Sequence, residues 1–380
     1  MTTRTNEFIH LDFLRGLAAL LVMAGHLRAY LFVTPDRLTD AGIPAKAFYF
    51  VTGFGHEAVI IFFAMSGFFI TKSITGLLDR GAWSWRYYMV QRISRLWTVL
   101  VPALVLTLIL DMSGILLSDG AFYAGEYATQ YARGPGIVGD GTDLSISTFF
   151  GNLFFLQDIH TPIYGTNYPL WSLSYEFWYY VLFPLAFVPF AKKSTVTYKV
   201  VSLVLFCVLV WWLPRHLLML GLVWLLGALT YLAYKKNLLE KVLQKPVVIA
   251  ITLLLAAGTI SAVRAGVMLQ GILADLLVGL VTCCLLITII RLKLASNLYA
   301  AMSEYFAKIS YTLYAIHDPV LAFTATVFLA NHQRQFDLSA LSLFIFLFCM
   351  IISFSYVIYW LFERNTARVA KFILSGNKAQ

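Results

Sequence analysis

Apolar blocks of about 20 residues recur along the whole chain, and they constrain the fold more than any other feature. A helix needs about 20 apolar residues to cross a hydrocarbon core of roughly 30 Å. Because that core offers no water to the backbone, each crossing segment must be helical or part of a closed barrel. We therefore predict an all-α, polytopic membrane protein with about ten transmembrane helices. The expected spans are residues 11–33, 55–75, 96–117, 168–190, 198–214, 216–234, 246–262, 268–291, 308–330 and 338–362.

The composition excludes a soluble domain. Of the 380 residues, 60% are hydrophobic and only 12% are charged, whereas soluble domains carry about 25% charged residues. The net charge of +9 does not predict a nucleic-acid partner, because the basic residues lie between apolar blocks. The four cysteines lie inside apolar blocks without ligand spacing. We therefore expect neither disulfides nor a metal site.

The distribution of Lys and Arg predicts the orientation in the membrane. Cytoplasmic loops are enriched in these residues, and most of the 28 in this chain fall on the cytoplasmic side if both termini are cytoplasmic. We expect the first apolar block to be a retained span and not a cleaved signal peptide, because Arg15 and His26 interrupt it and no clear A-x-A site follows. The loop 118–167 is acid-rich and is expected on the outer side, with 146–157 as a re-entrant or interfacial segment. We expect a single membrane domain over residues 1–380.

Charged side chains interrupt the first span. Arg15 and His26 are eleven residues apart, which on a helix is about three full turns and about 16.5 Å along the axis. They therefore share one face, where Asp12 can pair with Arg15. Because ionisable residues are costly in a bilayer, they are functional hypotheses. The stripe suits an elongated ligand that enters from the cytoplasm and reacts deeper in. The alternative is an ion pair plus a satisfied histidine.

Further polar residues lie near the second and third spans. Ser66 and Gly67 in "FFAMSG" form a small step that allows a helix or a ligand to approach closely. Arg92 and Arg95 in "RISR" are neighbours on a helix, and paired guanidinium groups suit phosphate oxygens. Positive-inside topology explains either arginine equally well.

Two later segments also carry polar side chains within apolar blocks. Glu176 lies among the aromatic residues of "WSLSYEFWYY", where it can act as a base, an acid or a substrate ligand. In "SYTLYAIH", Ser310, Tyr314 and His317 have the spacing of one helix face.

In this order, the polar segments resemble the acyltransferase-3 family of integral membrane acyltransferases. The matching elements are Arg15-x10-His26, "FFAMSG" at 62–67, "RISR" at 92–95, "WSLSYEFWYY" at 171–180 and "SYTLYAIH" at 310–317. The resemblance implies a transferase of the bacterial inner membrane that uses cytoplasmic acyl-CoA, often acetyl-CoA, and no metal. Such enzymes O-acylate a hydroxyl of a sugar, polysaccharide or glycolipid at the outer side. Longer relatives carry a C-terminal SGNH-type hydrolase domain, which we do not expect here.

The resemblance also implies site residues and partners. For catalysis these are His26, Arg15, Glu176 and His317, and for acyl-CoA binding Arg15, Ser66, Arg92 and Arg95. His26 can act as a general base on the acceptor hydroxyl or can carry the acyl group itself. Both roles stay open, as do the acceptor hydroxyl, the choice of acetyl, succinyl or longer acyl group, and the oligomeric state. The expected partners are acyl-CoA, a carbohydrate or glycolipid acceptor and membrane lipid.

A proton-coupled transporter of a small solute is the main alternative. Acidic residues that are expected to be buried among the ten spans can form a proton-coupled pathway; they are Asp12, Glu57, Glu176, Asp275 and Asp318. The chain shows no duplicated halves and no paired broken helices, which many carriers have. A third alternative is an assembly partner of glycan-synthesis enzymes, in which the charges serve helix packing only.

Overall fold

The computed structural model describes residues 8–39, 42–127, 131, 141–191, 194–238, 245–290, 292 and 296–375. Within these ranges the chain is largely helical and contains no β-strand beyond isolated bridges. A π-helical turn, Thr324–Phe328, follows the helix that ends at Phe323. The helices are α1 Ile9–Leu31, α2 Ile43–Val51, α3 Gly55–Asp79, α4 Trp85–Leu117, α5 Ile146–Leu153, α6 Leu170–Ala191, α7 Val196–Trp212, α8 Arg215–Lys235, α9 Pro246–Arg264, α10 Ile272–Ile289, α11 Asn297–Phe323, α12 Leu338–Leu361 and α13 Thr366–Ser375.

The helices coincide with the predicted spans. Seven stretches of the described chain are helical, long and apolar enough to cross a membrane, and α6, α7 and α11 cover the three other predicted spans. This confirms the all-α polytopic membrane fold. The count of ten spans, the single domain and the cytoplasmic termini stay predictions. Residues 1–7 and 376–380 of the termini, and 128–130 and 132–140 of the predicted outer loop, lie outside the described residues.

Apolar side chains on the outer surface of these helices support the membrane assignment. On α9, Leu254 is 73% exposed, and on α12, Phe346 is 64% exposed. In water such surfaces would drive association, because large apolar patches are rare on soluble monomers. In a bilayer the same side chains face lipid tails.

Helix α4 begins at Trp85, well before the start predicted at residue 96. Arg92 and Arg95, which were predicted at the cytoplasmic mouth of this span, therefore lie within the helix, and their position relative to the membrane stays a prediction. Hydropathy marks only the apolar part of a helix, whereas arginine has a high helix propensity and extends the helix beyond that part.

Residues 146–157 contain the short helix α5. Ser145 caps it by accepting a hydrogen bond from the Thr148 amide.

The chain divides into two compact units. The first unit comprises Met1–Ala18, Glu57–Tyr88 and Tyr175–Ala307. A buried apolar cluster lies in its core, with aromatic and aliphatic side chains from α3, α8 and α10 around the start of α1. Its buried members are Phe8, Leu11, Ile61, Met65, Phe68, Tyr231, Leu286 and Ile290.

Two glycines let α3 and α8 pack backbone to backbone in the first unit. A Cβ added at Gly67 would lie 1.9 Å from the Trp224 carbonyl oxygen, and one added at Gly227 would lie 1.8 Å from that of Ala64. Small residues at such crossings allow close van der Waals packing between membrane helices. The glycine of "FFAMSG" therefore serves helix contact.

Gly67→Ala is expected to lower the stability of the protein by about 1–3 kcal/mol, because the added methyl group meets backbone atoms that cannot rotate away. The measurement is thermal unfolding in detergent. Gly258→Ala is the matched control, since a Cβ at Gly258 of α9 meets nothing within 4 Å. Equal melting temperatures for the two variants would contradict the assignment of Gly67.

The second unit comprises Ala19–His56, Met89–Ser174 and Lys308–Gln380. At one place α2 and α12 meet the residue that follows α1 through Phe48, Phe344 and Phe32, whose ring centroids are 5.0 to 6.2 Å apart. The interior of this unit also holds fully buried polar side chains from α4, α11 and the loop before α6. Because buried polar groups must be paired, these side chains define the candidate site.

Candidate active site

Two histidines from different helices meet inside the second unit. Nε2 of His317 on α11 lies 2.8 Å from Nδ1 of His26 on α1. His317 is completely buried, whereas the His26 side chain is 16% exposed. Only His26 of this pair is therefore accessible to a ligand.

The backbone of α11 determines where the protons of this pair lie. Nδ1 of His317 is 2.9 Å from the Leu313 carbonyl oxygen, and because a carbonyl only accepts, Nδ1 of His317 must carry a proton. In neutral His317, Nε2 is then the acceptor, so Nδ1–H of His26 donates to it. The remaining nitrogen of neutral His26, Nε2, keeps an unprotonated lone pair. The network thus assigns the tautomer that a base or a nucleophile requires.

Asp318 places a carboxyl group beside the same histidine. It is fully buried, and its Oδ1 lies 3.6 Å from Nδ1 of His26. The Tyr30 hydroxyl and the Tyr168 backbone amide lie close to the same carboxyl group. A carboxylate at this distance stabilises a positive charge on His26, and the low dielectric of a buried site strengthens that interaction.

Asp111 on α4 anchors the loop next to these residues. Its Oδ2 accepts a hydrogen bond of 2.8 Å from the Thr166 amide, and its Oδ1 accepts one of 2.7 Å from the Thr166 hydroxyl. Gly165 has a φ of +57°, and a Cβ there would lie 2.2 Å from Asp111 Oδ2. Neither Asp111 nor Thr166 was predicted as a site residue. The available signal was an aspartate inside the apolar block 96–117.

Hydrogen bonds also fix the start of this loop, at Asp143, which lies outside the predicted spans. The Asp143 carboxyl accepts hydrogen bonds from the Thr148 hydroxyl at 2.6 Å and the Ser145 amide at 2.8 Å. The Thr148 hydrogen bond lowers the pKa of the Asp143 carboxyl, since it favours the charged form. The Asp143 carbonyl in turn accepts from the Gly165 amide at 3.0 Å. The loop is therefore fixed at both ends.

Asn167 joins this loop to α4 and α11. Its Nδ2 donates to the Thr107 hydroxyl at 3.0 Å and to the Ala315 carbonyl at 2.8 Å. Five residues later, the Ser172 hydroxyl is 2.7 Å from the Tyr314 hydroxyl. The segments "WSLSYEFWYY" and "SYTLYAIH" are thus in direct contact.

The second unit also holds the predicted phosphate ligands. Arg92 is partly buried and Arg95 is exposed, both on α4. One turn after Arg95, the Thr98 hydroxyl lies 2.8 Å from the Thr366 hydroxyl at the start of α13. Both arginines have interactions with neighbouring groups.

In the first unit, Arg15 forms the ion pair that its spacing predicted. Its Nη2 lies 3.0 Å from Asp12 Oδ1 and donates to the Ala307 carbonyl at 3.4 Å. A Cβ added at Gly16 would lie 2.6 Å from Phe306 Cβ, so α1 and α11 are closely packed here. The Asp12 pair is confirmed, while the role of Arg15 toward a ligand stays a prediction.

Ser66 and Glu176, which were predicted separately, lie side by side in the first unit. Glu176 Oε1 accepts a hydrogen bond of 2.8 Å from the Ser66 hydroxyl and another from the Tyr180 hydroxyl. The Trp224 indole donates to the Ser66 hydroxyl at 3.1 Å. Glu176 is partly exposed, so its carboxyl group is accessible while one of its oxygens is held in place.

Among the residues that the structure describes, no group of three or more His, Cys, Asp or Glu side chains could hold a metal ion. The cysteines Cys207, Cys283, Cys284 and Cys349 are all reduced thiols.

Comparison with known proteins gives one match. A family model described as an acyltransferase domain matches residues 8–360. The matched range includes every candidate site residue of both units. No curated protein and no solved structure matches the chain significantly.

Proposed function

Because the chain belongs to the acyltransferase-3 family of integral membrane acyltransferases, we propose that it transfers an acyl group from acyl-CoA to a hydroxyl of a sugar, polysaccharide or glycolipid. The proposed donor is cytoplasmic acetyl-CoA, and the proposed acceptor lies at the outer side of a bacterial inner membrane. The observation that carries the proposal is the His26–His317 pair. In neutral His26, whose side chain is partly exposed, it leaves Nε2 unprotonated.

In the proposed reaction, Nε2 of His26 takes the proton of the acceptor hydroxyl while the hydroxyl oxygen attacks the thioester carbonyl. The tetrahedral intermediate collapses by cleavage of the C–S bond. The proton then passes from His26 to the leaving thiolate, so that the products are an ester and CoA with a free thiol. Asp318, 3.6 Å from Nδ1 of His26, stabilises the imidazolium while it holds the proton.

The acyl-carrier role of His26 uses the same atom, because Nε2 would then attack the thioester itself. Both roles place a positive charge on the imidazole ring that Asp318 faces, so Asp318 suits either one, and we propose the general-base role. Incubation with acetyl-labelled acetyl-CoA without acceptor separates the two roles. A general base leaves the protein unlabelled after acid quenching and rapid digestion. A label on the peptide containing His26 would establish the carrier role.

Arg92 and Arg95 are the proposed ligands of the CoA phosphates, because two guanidinium groups one helical turn apart present forked donors. In the first unit, the predicted roles of Arg15 and Ser66 toward acyl-CoA and of Glu176 toward a substrate stay predictions. Ser66 holds the Glu176 carboxyl at 2.8 Å, which fixes its direction.

Arg92→Gln is expected to raise the KM for acetyl-CoA about tenfold with little change in kcat, since it removes a charge-assisted hydrogen bond used equally in ground and transition states. Acetyl-dephospho-CoA, which lacks the 3′-phosphate, tests the partner. It should be a poorer donor than acetyl-CoA for the unaltered protein, and Arg92→Gln should reduce that difference. Arg334→Gln alters an exposed arginine of the same unit and should change neither value. An unchanged KM in Arg92→Gln would remove Arg92 from the donor site.

The overall function is tested with purified protein in nanodiscs. Acetyl-labelled acetyl-CoA is supplied with p-nitrophenyl glycosides or with bacterial glycolipid extract, and products are identified by mass spectrometry. We expect label in an alkali-labile ester of the sugar, with release of one CoA per ester. Absence of any ester, together with proton-driven solute uptake into proteoliposomes, would favour the transporter.

A further inference from the structure

A proline lies inside α11 directly after His317 and Asp318, the two residues whose side chains approach His26. Pro319 lies within the helix, two residues after His317. A proline has no N–H, so the carbonyl four residues earlier receives no helical hydrogen bond. That carbonyl belongs to Ala315, which is buried to 1% exposure. An unpaired carbonyl in such a place is costly, because neither water nor backbone can satisfy it.

Asn167 supplies the missing donor. Its Nδ2 lies 2.8 Å from the Ala315 carbonyl oxygen, and Asn167 is fully buried. The orientation of the amide follows from its partner, since a carbonyl oxygen can only accept. A side chain from the loop before α6 thus replaces the backbone hydrogen bond that Pro319 removes.

The donor is itself held by α4. The same Nδ2 donates to the Thr107 hydroxyl at 3.0 Å, and the adjacent Thr166 is bound through two hydrogen bonds to Asp111. One further helix proline is compensated in a similar way. Pro184 in α6 leaves the Tyr180 carbonyl without its helical partner, and the Tyr88 hydroxyl donates to it at 3.1 Å.

We propose that Asn167 is a positioning residue for the reaction proposed above, on which this inference rests. By pairing the Ala315 carbonyl that Pro319 leaves without a helical donor, it holds the turn of α11 that carries His317 and Asp318. The direction of His317 Nε2 toward His26, and hence the tautomer of His26, depends on how that turn is held.

The test is a double-mutant cycle with Asn167→Leu and Pro319→Ala. Asn167→Leu is expected to lower kcat about tenfold to a hundredfold, with a KM for acetyl-CoA within about twofold, because a buried carbonyl is left unpaired. Pro319→Ala restores the N–H that α11 lacks. In the Pro319→Ala background, Asn167→Leu should therefore lower kcat by less than about threefold, since the helix then supplies its own donor to the Ala315 carbonyl.

Asn152→Leu is the matched control. Asn152 is another fully buried asparagine of the same unit, and its Nδ2 donates to the Thr148 and Pro162 carbonyls. Any decrease in kcat caused by Asn152→Leu should be the same with and without Pro319→Ala. The inference is overturned if Asn167→Leu is as active as the unaltered protein. It is also overturned if Asn167→Leu lowers kcat by the same factor with and without Pro319→Ala.

A second readout separates this inference from the proposed function. Carbethoxylation by diethyl pyrocarbonate, followed residue by residue with mass spectrometry, reports the reactivity of His26 without acyl transfer. The exposed His332 serves as an internal reference. Asn167→Leu should change the His26 rate severalfold, and addition of Pro319→Ala should restore it. This rescue is expected even if no sugar is acylated, in which case only the proposed function fails. An unchanged His26 rate in Asn167→Leu would overturn the positioning role.

Discussion

His26→Asn is expected to abolish acyl transfer, with kcat lowered by about 10²–10⁴ because the general base is lost. Asparagine is the informative replacement. Its amide can occupy the place of the imidazole Nδ1–H and keep the hydrogen bond to His317 Nε2, which His26 makes at 2.8 Å. Asparagine has no atom at the position of Nε2. The variant therefore removes the reactive nitrogen while it retains the link between α1 and α11. The measurement is steady-state transfer from acetyl-CoA to the sugar acceptor.

His332→Asn is the control for this experiment. His332 is exposed and lies five residues before Asp337, whose carboxyl caps α12 by accepting from the Ala340 amide at 2.8 Å. Asp337 therefore has a structural role. His332→Asn should transfer at the normal rate. A folded His26→Asn protein that retains more than a third of its activity would contradict the mechanism.

His317→Leu is expected to lower kcat by about tenfold to a hundredfold, with a much smaller change in the KM for acetyl-CoA. The variant removes the acceptor that keeps the proton of His26 on Nδ1. Without it the neutral imidazole can place its proton on Nε2, where it cannot act as a base. Asp318 Oδ1, 3.6 Å away, is beyond hydrogen-bond distance and cannot replace His317 unless it moves.

His317→Gln separates this tautomer effect from simple loss of packing. The glutamine carbonyl can accept from Nδ1–H of His26, so His317→Gln should retain several times more activity than His317→Leu. His10→Gln is a matched control in the first unit, because His10 is buried and pairs through both ring nitrogens with Tyr299 and Leu292. It should affect stability more than kcat. If the leucine and glutamine variants at position 317 behave alike, His317 only fills space.

Much of the fold and part of the site can be predicted from local patterns. A helix lies at every predicted span, because the length and hydropathy of a block decide whether it can cross a bilayer. The pair between Asp12 and Arg15 was predicted for the same reason, since residues three apart on a helix are always neighbours. His317 lies inside a predicted span and is fully buried, while its role in the site stays a prediction. Each of these properties depends on a short segment of chain.

The missed residues depend on contacts between distant segments. Asp111, Thr166 and Asn167 come from a membrane helix and a loop, and their roles follow only from hydrogen bonds that span 55 and 148 positions in the chain. The loop has no periodicity, so nothing in its pattern indicates that it is buried. Ser66 and Glu176 were each recognised, but their hydrogen bond joins two helices and was not predicted.

The first span illustrates this division. The amino-acid sequence by itself determines that "LDFLRGLAALLVMAGHLRAY" forms a membrane helix with Arg15 and His26 on one face, because hydropathy and helical periodicity are local. Only the tertiary structure decides which nitrogen of His26 is available. His317 is 291 positions away, and its tautomer is determined by a backbone carbonyl of its own helix. Proton positions depend on the partners that packing brings together, and packing of separate helices is not encoded in the pattern of either one.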